Sequence, residues 1–128
     1  MKRENKITDA EWEIMEVVWE YKKIKAYDII KKLEYTTSWS DKTIRTLIRR
    51  LVDKNILGVK KENVNMYYPL ATKEECVKEA TDRFVKKVFK GSLGLLVSNF
   101  VKNNKLTQDD ITELRALLDE KETDNNKK

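Results

Sequence analysis

Lys42, Thr43, Arg45, Thr46, Arg49 and Arg50 fall within the single stretch Ser40 to Asn55. Side chains of these types reach phosphate oxygens, guanine edges and thymine methyls in the DNA major groove. An ordinary solvated basic face has the same composition, so the rest of the chain must decide between the two readings. Other chemistry is poorly served. The chain has no histidine, which removes the commonest general base and the usual zinc ligand. Cys76 is the only cysteine, so neither an internal disulfide nor a cysteine-based metal site is expected. Three glycines leave no phosphate-cradling loop, and no carboxylate pair stands apart from the solvated background. The expectation is a chain with no catalytic residues, no cofactor and no metal.

The element that must carry the basic residues is a helix. Ile44, Leu47, Ile48 and Leu51 recur at i, i+3, i+4 and i+7, which gives one apolar face. Ser40 is placed to cap its first N–H groups, and Asp41 suits the positive end of its dipole. Asn55 can take the left-handed conformation that ends a helix. The basic residues, with Lys54, lie mostly off the apolar face.

Upstream, Thr8 and Glu11 have the spacing of a capping box, and Ile7 with Trp12 that of a hydrophobic staple. The helix that follows carries Trp12, Met15 and Trp19 on one stripe, widened by Ile14, Val18 and Tyr21; its other face is acidic. Phosphate would repel that face, so this helix should pack behind the basic one, with its tryptophans in the core. Residues 22–25 read as a short connection. Ala26, Ile29, Ile30 and Leu33 predict a two-turn helix, and Trp39 closes the turn before the basic helix. Downstream, residues 56–62 and 66–70 alternate loosely around the turn-prone Asn63-Val64-Asn65, which predicts a hairpin, with Pro69 on an edge strand. Three helices followed by a hairpin form a winged helix-turn-helix. In that arrangement Lys60 and Lys61 reach backbone phosphates, unless the hairpin is only a structural lid.

Charge is distributed to match. Between Glu4 and Glu20 lie six acids and one base, Lys6; between Lys22 and Lys61 lie twelve bases and four acids, Asp28, Glu34, Asp41 and Asp53. A basic block in an otherwise balanced chain is the electrostatic footprint of a nucleic-acid contact surface.

Thr72 and Glu75 form a second capping box and mark a domain boundary. A helix to about Lys90 carries Val77, Ala80, Phe84 and Val88. Gly91 and Gly94 interrupt the pattern before the most apolar run, Leu93 to Val101. Thr107 caps a last helix on which Ile111, Leu114, Leu117 and Leu118 line up. Residues from Glu120 on hold no apolar side chain and should be frayed. The expected organisation is therefore mainly α with a small β-wing: a winged helix at 1–71, a three-helix dimerisation region at 72–120 and a tail at 121–128. The second region has too few residues to enclose its stripes, so it should pair with a copy of itself, through Phe84, Val88, Leu95, Leu96, Phe100, Ile111, Leu114, Leu117 and Leu118. No signal peptide or membrane span is expected, and the expected location is the cytoplasm.

Several stretches resemble the penicillinase-repressor family of the BlaI/MecI type. They are Ile7 to Met15 with Trp19; Trp39-Ser40 with Lys42 to Leu47; Tyr67 to Leu70; Val88 to Gly91; Ser98 to Phe100; and Leu106-Thr107 with Ile111, Glu113, Leu114 and Leu117. The resemblance implies a homodimeric winged-helix repressor of β-lactam-resistance genes, for a β-lactamase or a resistant penicillin-binding protein, on a palindromic operator. It implies that Lys42, Thr43, Arg45, Thr46 and Arg50 contact bases and phosphates, with Tyr67 or Tyr68 and Lys61 near the wing backbone. It also implies inactivation by a membrane β-lactam sensor protease that cuts between Asn99 and Phe100. Asp41 and Asn55 depart from the proline and glycine usual in relatives, and both are tolerable there. Relatives on the same fold regulate other genes, and a protein-interaction adapter would use the basic face for an acidic partner.

Overall fold

The computed structural model describes residues 6–126, and helices dominate it. Thr8 caps α1 (Asp9–Tyr21): its hydroxyl accepts from the Glu11 N–H at 3.1 Å, while Glu11 Oε1 accepts from the Thr8 N–H at 3.0 Å. α2 spans Ala26–Leu33 and α3 spans Asp41–Asp53. Ser40 Oγ accepts from the Thr43 N–H at 3.1 Å, so the expected cap is present. At the far end Asn55 adopts φ 62°, and the chain turns into the sheet.

β2 (Leu57–Lys61) and β3 (Asn65–Pro69) form the hairpin. Residues 22–25 are not merely a connection: Ile24–Lys25 form a strand, β1, antiparallel to β3 with Ile24 opposite Tyr67. Two residues are too few to show a period-2 pattern, and the pairing partner lies far along the chain. The sheet order is β1-β3-β2, so Pro69 lies on the central strand and not on an edge strand; β1 pairs only Met66 and Tyr67, which leaves the Pro69 side open where its missing N–H costs nothing. Gly58 faces Tyr68 across the β2–β3 ladder, and the Tyr68 ring lies where a Cβ at Gly58 would be.

The core of this part joins Ile14, Met15 and Val18 of α1, Ile29, Ile30 and Leu33 of α2, and Ile44, Leu47, Ile48 and Leu51 of α3 to Ile56, Leu57 and Ala71. Trp12, Trp19 and Trp39 pack half-buried against it, and Ile7 joins them. The rings of Trp12 and Trp19 meet edge to face at 5.4 Å, and Trp19 Nε1 donates to the Ala71 carbonyl at 2.9 Å. Tyr21, expected on the apolar stripe, is exposed, with the Lys32 ammonium 5.0 Å from its ring centre.

Thr72 and Glu75 exchange bonds as a capping box, and α4 follows over Lys73–Val88. The chain divides into two compact units, Met1–Arg83 and Phe84–Lys128, and this division falls inside α4. Cys76 is buried in the winged-helix core, which the first turns of α4 complete.

In the second unit Gly91, at φ 87°, turns the chain from α4 into α5 (Leu93–Lys102). Gly94 lies inside α5 and does not interrupt it. Thr107 and Asp110 form a capping box for α6 (Gln108–Asn125). Of the tail expected to fray, Glu120 to Asn125 are helical, their Glu and Lys residues being good helix formers that need no apolar contact, while Lys127 and Lys128 lie outside the described residues. Neither α5 nor α6 has a buried residue. Among the described residues, no helix is long and apolar enough to cross a membrane.

Candidate nucleic-acid interface

Burial of Ile44, Leu47, Ile48 and Leu51 fixes which side of α3 faces out. Lys42, Thr43, Arg45, Arg49 and Arg50 are exposed and Thr46 is half-buried. Among the described residues, no hydrogen bond or ion pair engages the side chains of Lys42, Arg45, Arg49 or Arg50, so their donors are open to a partner. The two threonines are pre-set. Ser40 Oγ and Thr43 Oγ1 lie 3.1 Å apart, and the Thr46 hydroxyl donates to the Lys42 carbonyl at 2.9 Å. Thr46 can therefore accept a hydrogen bond from a partner while its own proton stays on the helix.

A notch runs between α3 and the sheet, lined by Ala26, Arg45, Ile48, Arg49, Val52, Val59 and Tyr67. It brings Arg45, Arg49 and Tyr67 to one surface. Strand alternation then sorts the rest of the expected site. Val59 pairs with Tyr67 and Lys61 with Asn65, so Lys61 shares the α3 side of the wing. Gly58 pairs with Tyr68 and Lys60 with Met66, so Lys60 and Tyr68 belong to the opposite face. The structure thus separates the two tyrosines that the sequence left as alternatives. Ala26 and Val59 were not foreseen in this surface; the period-2 pattern through Val59 and Lys61 was the signal available for Val59.

Lys54 does not join the outward cations. Its Nζ donates to Glu11 Oε1 at 2.6 Å and to the Lys6 carbonyl at 2.8 Å. Glu11, expected on a solvated acidic face, is 1% exposed. Burial pushes its carboxyl up, but the hydrogen bonds from Lys54 and Thr8, with the Lys54 charge, outweigh burial and hold it below the ordinary carboxylate value. At the wing, Lys23 Nζ and Glu62 Oε2 form an exposed bridge at 2.8 Å. Lys23 beside Glu62 lowers that carboxyl too.

In the second unit, residues expected at a dimer interface lie uncovered. Phe84, Val88, Leu95, Phe100, Leu114, Leu117 and Leu118 are exposed, Leu118 by 66%, while Leu96 and Ile111 are half-buried. Leu93, Val97 and Val101 extend the apolar surface beyond the expected set. Asn99 and Phe100 occupy the last turns of α5, where the Asn99 carbonyl accepts from the Asn103 N–H at 3.2 Å and from Asn103 Nδ2 at 2.9 Å.

Comparison with known proteins agrees with this architecture. The solution structure of the DNA-binding domain of the repressor BlaI superposes with a TM-score of 0.53 at 38% identity, over 59% of this chain and 93% of that one. The monomeric form of Bacillus licheniformis BlaI in complex with the blaP half-operator superposes with a TM-score of 0.52 at 39% identity, over the same shares of the two chains. The methicillin resistance regulatory protein MecI of Mammaliicoccus sciuri is 41% identical over 116 residues, covering 90% of this chain and 94% of MecI. The penicillinase repressor of Bacillus licheniformis is 36% identical over 121 residues, 94% of each chain. The family model described as penicillinase repressor matches residues 7–120. With relatives of this identity spanning nearly their whole length, and a winged helix at its N-terminal end, the chain belongs to the penicillinase repressor family.

Proposed function

We propose that this protein is a homodimeric, sequence-specific DNA-binding repressor of β-lactam-resistance genes, acting in the cytoplasm on a palindromic operator. The observation that carries the reading is the outward face of α3, whose open Arg and Lys donors adjoin the notch that Tyr67 lines. The solved complex of the Bacillus licheniformis relative with a half-operator supports it. In this reading α3 enters the major groove, where Arg45, Arg49, Thr43 and Thr46 meet base edges and Lys42 and Arg50 meet phosphates. Lys61 and Tyr67 meet the backbone beside the wing. Lys60 and Tyr68, on the other wing face, contribute through charge and packing.

The uncovered apolar faces of α5 and α6 favour a second copy as their cover, since apolar patches of that extent on one chain mark association surfaces. Two copies then engage two half-sites, and each raises the effective concentration of the other. Release follows cleavage at Asn99-Phe100 by a membrane β-lactam sensor protease. That bond lies within a helix, so the last turn of α5 must open before a protease can take it.

The test is a DNase footprint of the purified protein on DNA flanking its own gene, with titrations of the protected duplex over a range of salt. A protected palindrome, with affinity falling steeply as salt rises, is expected. Absence of any footprint overturns the reading. Sedimentation at micromolar concentration should give a dimer, and a monomer there removes the two-half-site mechanism.

A further inference from the structure

Lys54 and Glu11 are separated by 43 positions, yet they join the last turn of α3 to the first turn of α1. We infer that this pair is a positioning device, setting the rotation and axial register of α3 on the rest of the fold and so its sequence discrimination. The inference rests on the reading of α3 as the element that enters the major groove.

The physical case begins with what else holds α3. Its back is an apolar face against Ile14, Met15 and Val18 of α1 and the buried side of α2. Burial of that kind is strong but non-directional, and it tolerates small slides and rotations. Base readout does not. At a helix radius of about 6 Å, a rotation of about 10° moves a side-chain tip by roughly 1 Å. That exceeds the spread of good donor–acceptor distances, about 2.7–3.2 Å. A directional contact at one end of the helix removes this freedom, and Lys54 supplies it.

The anchoring is built from both sides. Glu11 Oε1 accepts at once from Lys54 Nζ and from the Thr8 N–H, so it is fixed to the capped end of α1. Lys54 Nζ reaches a second acceptor, the Lys6 carbonyl, which ties in the segment before α1. Lys54 also caps α3, its N–H donating to the carbonyl of Arg50, one of the outward residues. The turn that bears Arg50 is therefore the turn the pair holds. Stability alone is a weak reason for such a pair: taking charges out of water costs about as much as their attraction returns, and an apolar pair often does as well. A directional bond from half-buried Lys54 to buried Glu11 adds register that a non-directional apolar contact does not.

The experiment uses the full chain and three variants, Glu11→Gln, Lys54→Met and Lys54→Arg. Gln also fits the third position of a capping box, so Glu11→Gln keeps the start of α1 intact. Affinity is measured for the footprinted operator duplex and for a non-palindromic duplex of equal length. Temperatures are kept well below each variant's own melting point, so only folded protein is compared. Glu11→Gln and Lys54→Met should lower the ratio of operator to non-specific affinity about tenfold, the scale of one misread base pair. Lys54→Arg should recover most of it. Glu11→Gln removes a negative charge, so simple electrostatics would tighten both duplexes; weaker operator binding has the opposite sign. A lowered melting point with an unchanged affinity ratio in Glu11→Gln and Lys54→Met makes the pair merely structural and overturns the inference. A wild-type protein with no preference for any palindrome overturns the reading of α3 instead.

Discussion

Replacing Gly58 by alanine tests the wing most sharply. A Cβ at Gly58 would lie 2.6 Å from the Tyr68 hydroxyl oxygen and 2.7 Å from Cε2, inside any real carbon contact. No backbone conformation peculiar to glycine is involved; the clash is with the cross-strand ring alone. Two responses are open: the sheet distorts locally, or the half-buried Tyr68 ring swings off the strand and loses its cover. Overpacking of this kind costs about 1–3 kcal/mol. Alanine recovers roughly 0.5–1 kcal/mol of the entropy that glycine loses in a strand. The net expectation is a loss of about 1–2 kcal/mol. Urea unfolding followed by tryptophan fluorescence reads this cleanly, because Trp12, Trp19 and Trp39 all belong to the unit that contains the wing. With a slope near 1 kcal/mol per molar, the midpoint should fall by about 1–2 M. Truncating Tyr68 to alanine in the Gly58→Ala background should then cost less than in the wild type, because there the truncation also removes the clash. An unchanged or raised midpoint, or equal costs in both backgrounds, would refute the reasoning.

Arg45→Ala should weaken operator binding by about 1–3 kcal/mol and relax the preference at one base position, read by titrating single-substitution duplexes. Lys61→Ala, by contrast, should weaken all sequences alike and lower the slope of log affinity against log salt by about one, seen by anisotropy at four salt concentrations. Trp19→Phe loses the bond from Nε1 to the Ala71 carbonyl and leaves an acceptor of a buried residue unmet, costing about 1–2 kcal/mol in the same urea assay. For pH, Glu11 is held below its unfolded value, so its stabilisation is present above about pH 4.3 and is lost as pH falls through that value toward the lowered one. Glu11→Gln should therefore flatten the acid side of the stability profile of the tryptophan-bearing unit; parallel acid limbs in the two proteins would refute the assignment.

What was legible from residues alone was local. Thr8 with Glu11, Ser40 before Asp41, Thr72 with Glu75 and Thr107 each mark a helix start within three or four residues, and each cap is present. The reading of α3 rested on a period of the same short range. What failed depended on distant partners. Glu11 looked like one acid among several on a wet face, and only the fold brings Lys54 to it. Ile24–Lys25 became a strand because β3 offers an edge, not because of any pattern of their own. The capping signal at residue 72 is local, whereas the burial of Cys76 just beyond it depends on the whole winged-helix core. Glu120 to Asn125 continue α6 without apolar residues, because their helix formers are good. The division of Tyr67 from Tyr68 needed the register with β2, which two adjacent tyrosines cannot declare.

The apolar side chains left open on α5 and α6 make dose a structural variable. In the proposed dimer, a segment covered by a second copy has no fixed stability of its own, because mass action sets how much of it is folded and covered. At low copy number such chains spend more time open to housekeeping proteases, and as they accumulate they protect one another. Abundance of the protein should therefore rise more than in proportion to its synthesis, giving its target genes a threshold even before any signal arrives.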